Sequence, residues 1–203
     1  QDYYQTVILE ENKASLDTVG GNRLKLQPKY NPFRRHRTNM IELRRREKHT
    51  IGCHIRRATP SDVPMMQTFF DQNAPQKQFY PCYDFSRVGT GDSYYRDIRL
   101  EDFLLAFEGD ELVGMTGFWD QKNFKQTRIA GYSKAIQYAR PLYNLYTKIF
   151  GGLSLPAAGS LTSYVYLHCN VFKDNRSDVF ADLLAFDRKE LRSSQYDALV
   201  VGF

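Results

Sequence analysis

The side chains with chemical capacity gather late in the sequence, at the adjacent His168 and Cys169 and at Arg176. A thiol beside an imidazole suggests a nucleophile with its base, but neighbours on an ideal strand point to opposite faces. The pair is therefore not expected to act as a dyad. His168 alone could take a proton from an amine if its face opens onto a cleft. Arg176 stands between a polar turn and an amphipathic run, where a guanidinium can hold a phosphate through two parallel bonds. The plainer reading is a solvated arginine in a first helical turn. Asn12, at a predicted helix start, could meet a ligand or simply cap the helix. Asp120, beside Trp119, could face a substrate. The cysteines Cys53, Cys82 and Cys169 are odd in number and far apart, and His36, His49, His54 and His168 show no ligand spacing. Neither a disulfide framework nor a metal site is expected, and a reducing cytoplasm is the default compartment.

The elements that must position these groups follow from the hydrophobic pattern. With 203 residues, 42% hydrophobic and 25% charged, the chain can bury a mixed α/β core, which excludes disorder. No run of apolar residues reaches bilayer length, so no membrane partner is expected. The opening Gln1-Asp2 shows no signal peptide and reads as part of a longer gene product. Thr6–Leu9 reads as a strand entering a helix that Gly20-Gly21 ends, and the segments 24–30 and 36–44 read as two further strands. His54–Arg56 is a predicted strand. Thr59, Pro60 and Asp62 then form a helix start in which Asp62 replaces the usual Glu of a capping box. The residues 76–99 have no periodicity. Two apolar strands meet across Glu108-Gly109-Asp110-Glu111, with Gly114 and Gly117 predicting a bulge or a close approach. From 132 to 149, apolar residues recur at helical spacing around Pro141, predicting two short helices with an aromatic face buried against the domain or a neighbouring subunit. A long central strand ends near Phe172, an amphipathic helix follows, and the chain closes on a short apolar strand.

The net charge of +5 is local. Residues 23–57 hold 12 Lys/Arg against 2 Asp/Glu, whereas 58–203 hold 15 against 17. Arg34, Arg35, Arg37 and Arg44-Arg45-Arg46 are interrupted by Met40, Ile41 and Leu43. Solvated strand faces account for this pattern better than a nucleic-acid contact, which would need the arginines on one continuous surface.

From residue 54, the order strand, helix, hairpin, long strand, helix, strand resembles the GCN5-related N-acetyltransferase (GNAT) family. The segment VFKDNRSDVFADLL, starting at Val171, is similar to its acetyl-CoA signature. Arg176, Ala181 and Leu184 fall on the family's places; Lys173 replaces the proline, Ser177 the first glycine and Val179 the second. The resemblance implies a mainly antiparallel twisted sheet with helices on both faces. It also implies acyl transfer from acetyl-CoA to a small-molecule or protein amine. Asn170 and Val171 would offer backbone groups to the pantetheine arm, with Arg176, Ser177 and Ala181 at the pyrophosphate. The family loop surrounds phosphate with backbone N–H groups, so Val179, Asp174 and Asp178 are expected to weaken cofactor binding. Restoring glycine at 177 and 179 is expected to strengthen it where Arg176 faces the turn. Residues 1–50 look like the end of a first such domain, with Asn12 in the family's Asn position, and 51–203 like a second that lacks its last elements. Trp119-Asp120-Gln121 and Arg140-Pro141-Leu142-Tyr143 resemble a tandem bacterial group. The alternative function is a non-catalytic acetyltransferase-like domain serving packing, regulation or interaction with a second domain or copy.

Overall fold

The computed structural model describes residues 6–21, 30–33, 35–43, 48–77 and 80–202. It divides into two units, Gln1–Thr38 with Gly202–Phe203, and Asn39–Val201. In the first unit the expected strand at Thr6–Leu9 is irregular chain, with Val7 67% and Leu9 73% exposed. Among the described residues no strand pairs with it, and an unpaired segment leaves its backbone polar groups to water and gains little. The chain turns at Leu9–Asn12 into the single turn α1 (Lys13–Ser15) and a wider helical turn, Leu16–Gly20. The strand expected at 24–30 lies, but for Tyr30, outside the described residues.

The second unit is mixed α/β. Its strands are β1 (Thr38–Glu42), β2 (His54–Arg57), β3 (Phe103–Glu108), β4 (Glu111–Trp119), β5 (Tyr164–Phe172) and β6 (Ala198–Gly202). They form one sheet in the order β1-β6-β5-β4-β3-β2. The pairs β2–β3, β3–β4 and β4–β5 are antiparallel and β5–β6 is parallel. Helix α2 (Val63–Asn73) covers one face through Met66, Phe69 and Phe70, which pack with Leu105, Phe107, Met115 and Val171. Helix α4 (Ser177–Leu191) covers the other through Val179, Leu183 and Leu191, against Leu104, Ala106, Val113 and Leu199.

Local signals carry much of this. Asp62, 6% exposed, accepts from the Thr59 N–H at 2.8 Å and hydroxyl at 2.6 Å, so the shorter acid completes the capping box. Arg56 forks the same carboxylate at 2.8 and 2.7 Å and holds its pKa far below the carboxylate range. The hairpin closes with Glu108 opposite Glu111, and Gly109 at φ 58° supplies the left-handed turn residue.

The segment 122–160 departs from expectation. It contains one helix, α3 (Lys134–Phe150), that runs through Pro141. Ser133 caps its start and Gly151, at φ 85°, ends it. The carbonyl that Pro141 deprives of a partner is that of the exposed Gln137, where water can replace the lost bond. The aromatic face, expected to be buried against the domain or a neighbouring subunit, is not covered by the domain: Tyr138 is 84%, Leu142 73% and Tyr146 56% exposed in the single chain.

Candidate functional site

The middle of β5 breaks regular pairing. His168 lies opposite Gly117 and Val171 opposite Met115, so Cys169 and Asn170 together oppose Thr116. Cys169 has φ 51°, and the extra residue makes this a β-bulge. The bulge reverses the alternation of the strand. Val165, Leu167 and Phe172 face α4, whereas Cys169 and Val171 face α2. His168 packs against Tyr83, Phe103 and Trp119, members of that α2-facing core. His168 and Cys169 therefore share a face, contrary to the expectation from an ideal strand.

That sharing does not make a dyad. The His168 Nδ1 meets the Tyr83 hydroxyl at 2.7 Å, and its buried Nε2 lies toward Gly117, where an added Cβ would approach to 2.6 Å. Burial pulls its pKa from 6.5 down to about 4, so the ring is neutral at physiological pH. Its face meets an aromatic box, so the condition for taking a proton from an amine, a face open to a cleft, is not met. Burial likewise raises the Cys169 thiol well above its usual value, away from nucleophilic use.

Asn170 is held on every side. Its side-chain oxygen accepts from the Thr116 hydroxyl at 2.6 Å, and its carbonyl accepts from the Lys77 ammonium. Lys77 also lies over the rings of Tyr80, at 5.1 Å, and Phe172, at 5.2 Å, and burial lowers its pKa. Val171 is fully buried in the α2-facing core. The ladder between β5 and β6 is short: Tyr164, Val165 and Tyr166 pair with Ala198, Leu199 and Val200, and pairing stops although both strands continue.

After β5, Asp174 and Asn175 both take φ 53° and lead into α4. Arg176 forks Glu108 at 2.8 and 2.7 Å and reaches Asp178 at 3.2 and 2.5 Å. The guanidinium brings Asp178 down to about 2. Ser177 is exposed in the first turn and Ala181 is half-buried behind it. Val179 is fully buried and points into the core, where an added Cβ on Gly114 would come within 2.5 Å of its Cγ1. Its side chain thus does not stand in front of the turn, and replacing it with glycine would remove core packing. The Val179 half of the glycine pair is therefore also a change in the core, beside Gly114.

Two other sequence candidates have structural partners. The Asn12 oxygen accepts from the Ser15 N–H at 3.1 Å, as a helix cap does. Asp120 accepts from the Tyr196 hydroxyl at 2.7 Å and the Lys122 N–H at 3.0 Å, and borders an open depression of about 690 Å³ with Arg96 and Arg99. Of the arginine-rich segment, Arg34 and Arg44–Arg46 lie outside the described residues. Arg35 pairs with Glu10, and Arg57 with Glu190. Among the described residues no group of three or more acidic, His or Cys side chains could hold a metal ion, and no helix is long and apolar enough to cross a membrane.

Sequence reasoning brought Asn170, Val171, Arg176, Ser177 and Ala181 into one strand-turn-helix corner. It missed Lys77, Tyr80, Tyr83 and Glu108. The first three stand in or beside the stretch without periodicity, and Glu108 was read only as a turn residue. No local signal marks them; only the long-range pairing does.

No protein-family model and no curated protein matches this sequence. Among solved structures, the chain is similar to the C-terminal domain (DUF2156) of an Agrobacterium fabrum protein named as a lysylphosphatidylglycerol synthetase. The TM-score is 0.40 and the identity 10%, over 81% of this chain and 47% of that one. The chain thus spans about half the length of that structure.

Proposed function

We propose that the protein works in acyl transfer from acetyl-CoA to an amine, with the bulged half of β5 as the cofactor-facing edge. The observation that carries this reading is the β5–β6 ladder, which stops at Tyr166 just before the bulge at Cys169 and Asn170. A strand edge released from its neighbour can pair with an extended ligand bearing amides, as the pantetheine arm does. The same edge leads through Arg176 into the first turn of α4, where a pyrophosphate would lie. Transfer also requires donors aimed at the thioester oxygen and a group that takes the amine proton. The Asn170 backbone is the candidate donor, and neither His168 nor Cys169 supplies the base.

A second reading has its own support: a non-catalytic acetyltransferase-like domain. Lys77 holds the Asn170 carbonyl from within, and Glu108 and Asp178 neutralise Arg176. Calorimetric titration of acetyl-CoA into the native protein and into Lys77→Ala separates the two. The acyl-transfer reading expects saturable binding, at least about fivefold tighter once Lys77 no longer covers the carbonyl, and weakened by Arg176→Glu. It also expects CoA release in the presence of a primary amine. Binding without CoA release supports the non-catalytic reading. Undetectable binding by both proteins sinks the acyl-transfer reading.

A further inference from the structure

Helix α3 is built inside out. On a wheel of about 100° per residue, Tyr138, Leu142, Leu145, Tyr146, Ile149 and Phe150 occupy one broad sector. That sector faces solvent: Leu145 is 54%, Ile149 65% and Phe150 69% exposed. The opposite, polar side is the one the protein holds. Asn144 donates to the Leu155 carbonyl at 3.0 Å and accepts the Leu155 N–H at 2.8 Å, Arg140 reaches the same carbonyl at 3.4 Å, and Thr147 is buried. A helix packed on a globular core has its sides the other way round. The apolar face is thus displayed by construction, because the polar groups that would have faced water are committed to the loop after the helix.

The charge of the segment that carries the helix points to what covers it; the Glu42 carboxylate, from β1, accepts from the Gly152 N–H just past the helix end. Residues 121–163 contain Lys122, Lys125, Arg128, Lys134, Arg140 and Lys148 and not one Asp or Glu. Lys134 and Lys148 border the apolar sector, where long stems can lie along a greasy boundary and carry their ammonium groups outward. A second copy would bring the same positive rim against itself. An anionic lipid surface neutralises the rim while its acyl boundary takes the aromatic and aliphatic side chains. We propose that α3 docks in the plane of an anionic lipid bilayer. The contact is superficial, since the helix does not meet the length and apolarity needed to cross. It revises the expectation that membranes play no part, and it does not depend on the acyl-transfer reading.

Flotation with phosphatidylglycerol-containing vesicles and with pure phosphatidylcholine vesicles tests this on the whole chain. The native protein is expected to float with the anionic vesicles, to be released by added salt, and to bind phosphatidylcholine far less. Lys134→Gln with Lys148→Gln should lower partitioning by roughly 25-fold, about fivefold per charge removed. Leu142→Ser with Ile149→Ser, both at exposed positions, should lower it by roughly tenfold or more without loss of fold, checked by circular dichroism. Failure of the native protein to float at low salt would overturn the proposal. So would flotation that both double variants retain. Light scattering provides the remaining arm: a native dimer that the Leu142→Ser, Ile149→Ser variant dissolves, without vesicle binding, assigns the face to self-association instead.

Discussion

Asp187 lies on the sheet-facing stripe of α4, 1% exposed, and both carboxylate oxygens are buried without a hydrogen-bond partner. Burial raises its pKa well above the ordinary carboxylate value, so the folded protein holds a proton there that the unfolded chain gives up. The sign follows: its contribution is most favourable below about pH 4 and is lost as pH rises toward the folded pKa. His168 has the opposite sign. With a folded pKa of about 4 against 6.5, its contribution is complete above pH 6.5 and is lost as pH falls toward 4. The two limbs oppose each other between pH 4 and 6.5. Replacing Asp187 by Leu should stabilise the protein at pH 7 by about 1–3 kcal/mol, the cost of a buried polar group left unsatisfied, with a gain that shrinks toward pH 4. Urea unfolding across that pH range measures it. A pH-independent difference would show that Asp187 stays charged with a partner of its own.

At the scale of elements, the contact between β4 and α4 is set by a complementary pair of sizes. Gly114 leaves the space that Val179 fills, with Leu183 and Phe172 on either side at 3.2 and 3.1 Å from an added Cβ. Gly114→Ala should therefore cost about 1–3 kcal/mol by overpacking, and Val179→Ala a similar amount by opening a void. Together they should cost less than the sum, since the new methyl enters the space the valine leaves. Thermal unfolding of the four proteins in this cycle reads the coupling directly. Strict additivity would mean that the helix shifts on the sheet instead of pressing on Gly114.

For the molecule as a whole, the second unit contains both hydrophobic clusters, one on each face of the sheet. The described apolar residues of the first unit are exposed or half-buried, among them Val7, Leu9, Leu16 and Phe33. Area removed from water is the main favourable contribution to folding, so the stability of 39–201 should rest on its own contacts. A chain begun at Thr38 should unfold cooperatively, with a midpoint within about 2–4 °C of the longer chain, the shift that about 1 kcal/mol gives in a domain of this size. A non-cooperative melt would show that residues before Thr38 complete the core.

What the sequence by itself determined was built from neighbours. The Thr59–Asp62 cap, the two-residue hairpin turn at Gly109 and the helix over 177–191 each depend on residues a few positions apart. Their physics is therefore already present in the local pattern. Even the close approach at Gly114 and Gly117 was legible, because a glycine inside an apolar strand marks a missing side chain. The site was settled elsewhere. One extra residue in β5 moved Cys169 to the same face as His168, and period-two alternation cannot reveal where a bulge will fall. Lys77 reaches Asn170 across 93 positions and Glu108 reaches Arg176 across 68. Whether the domain itself covers the apolar face of α3 was not legible, because periodicity reports that a helix has two faces but not which one the protein holds. That choice was made by Asn144 and Leu155, whose paired hydrogen bonds exist only once the chain has folded back.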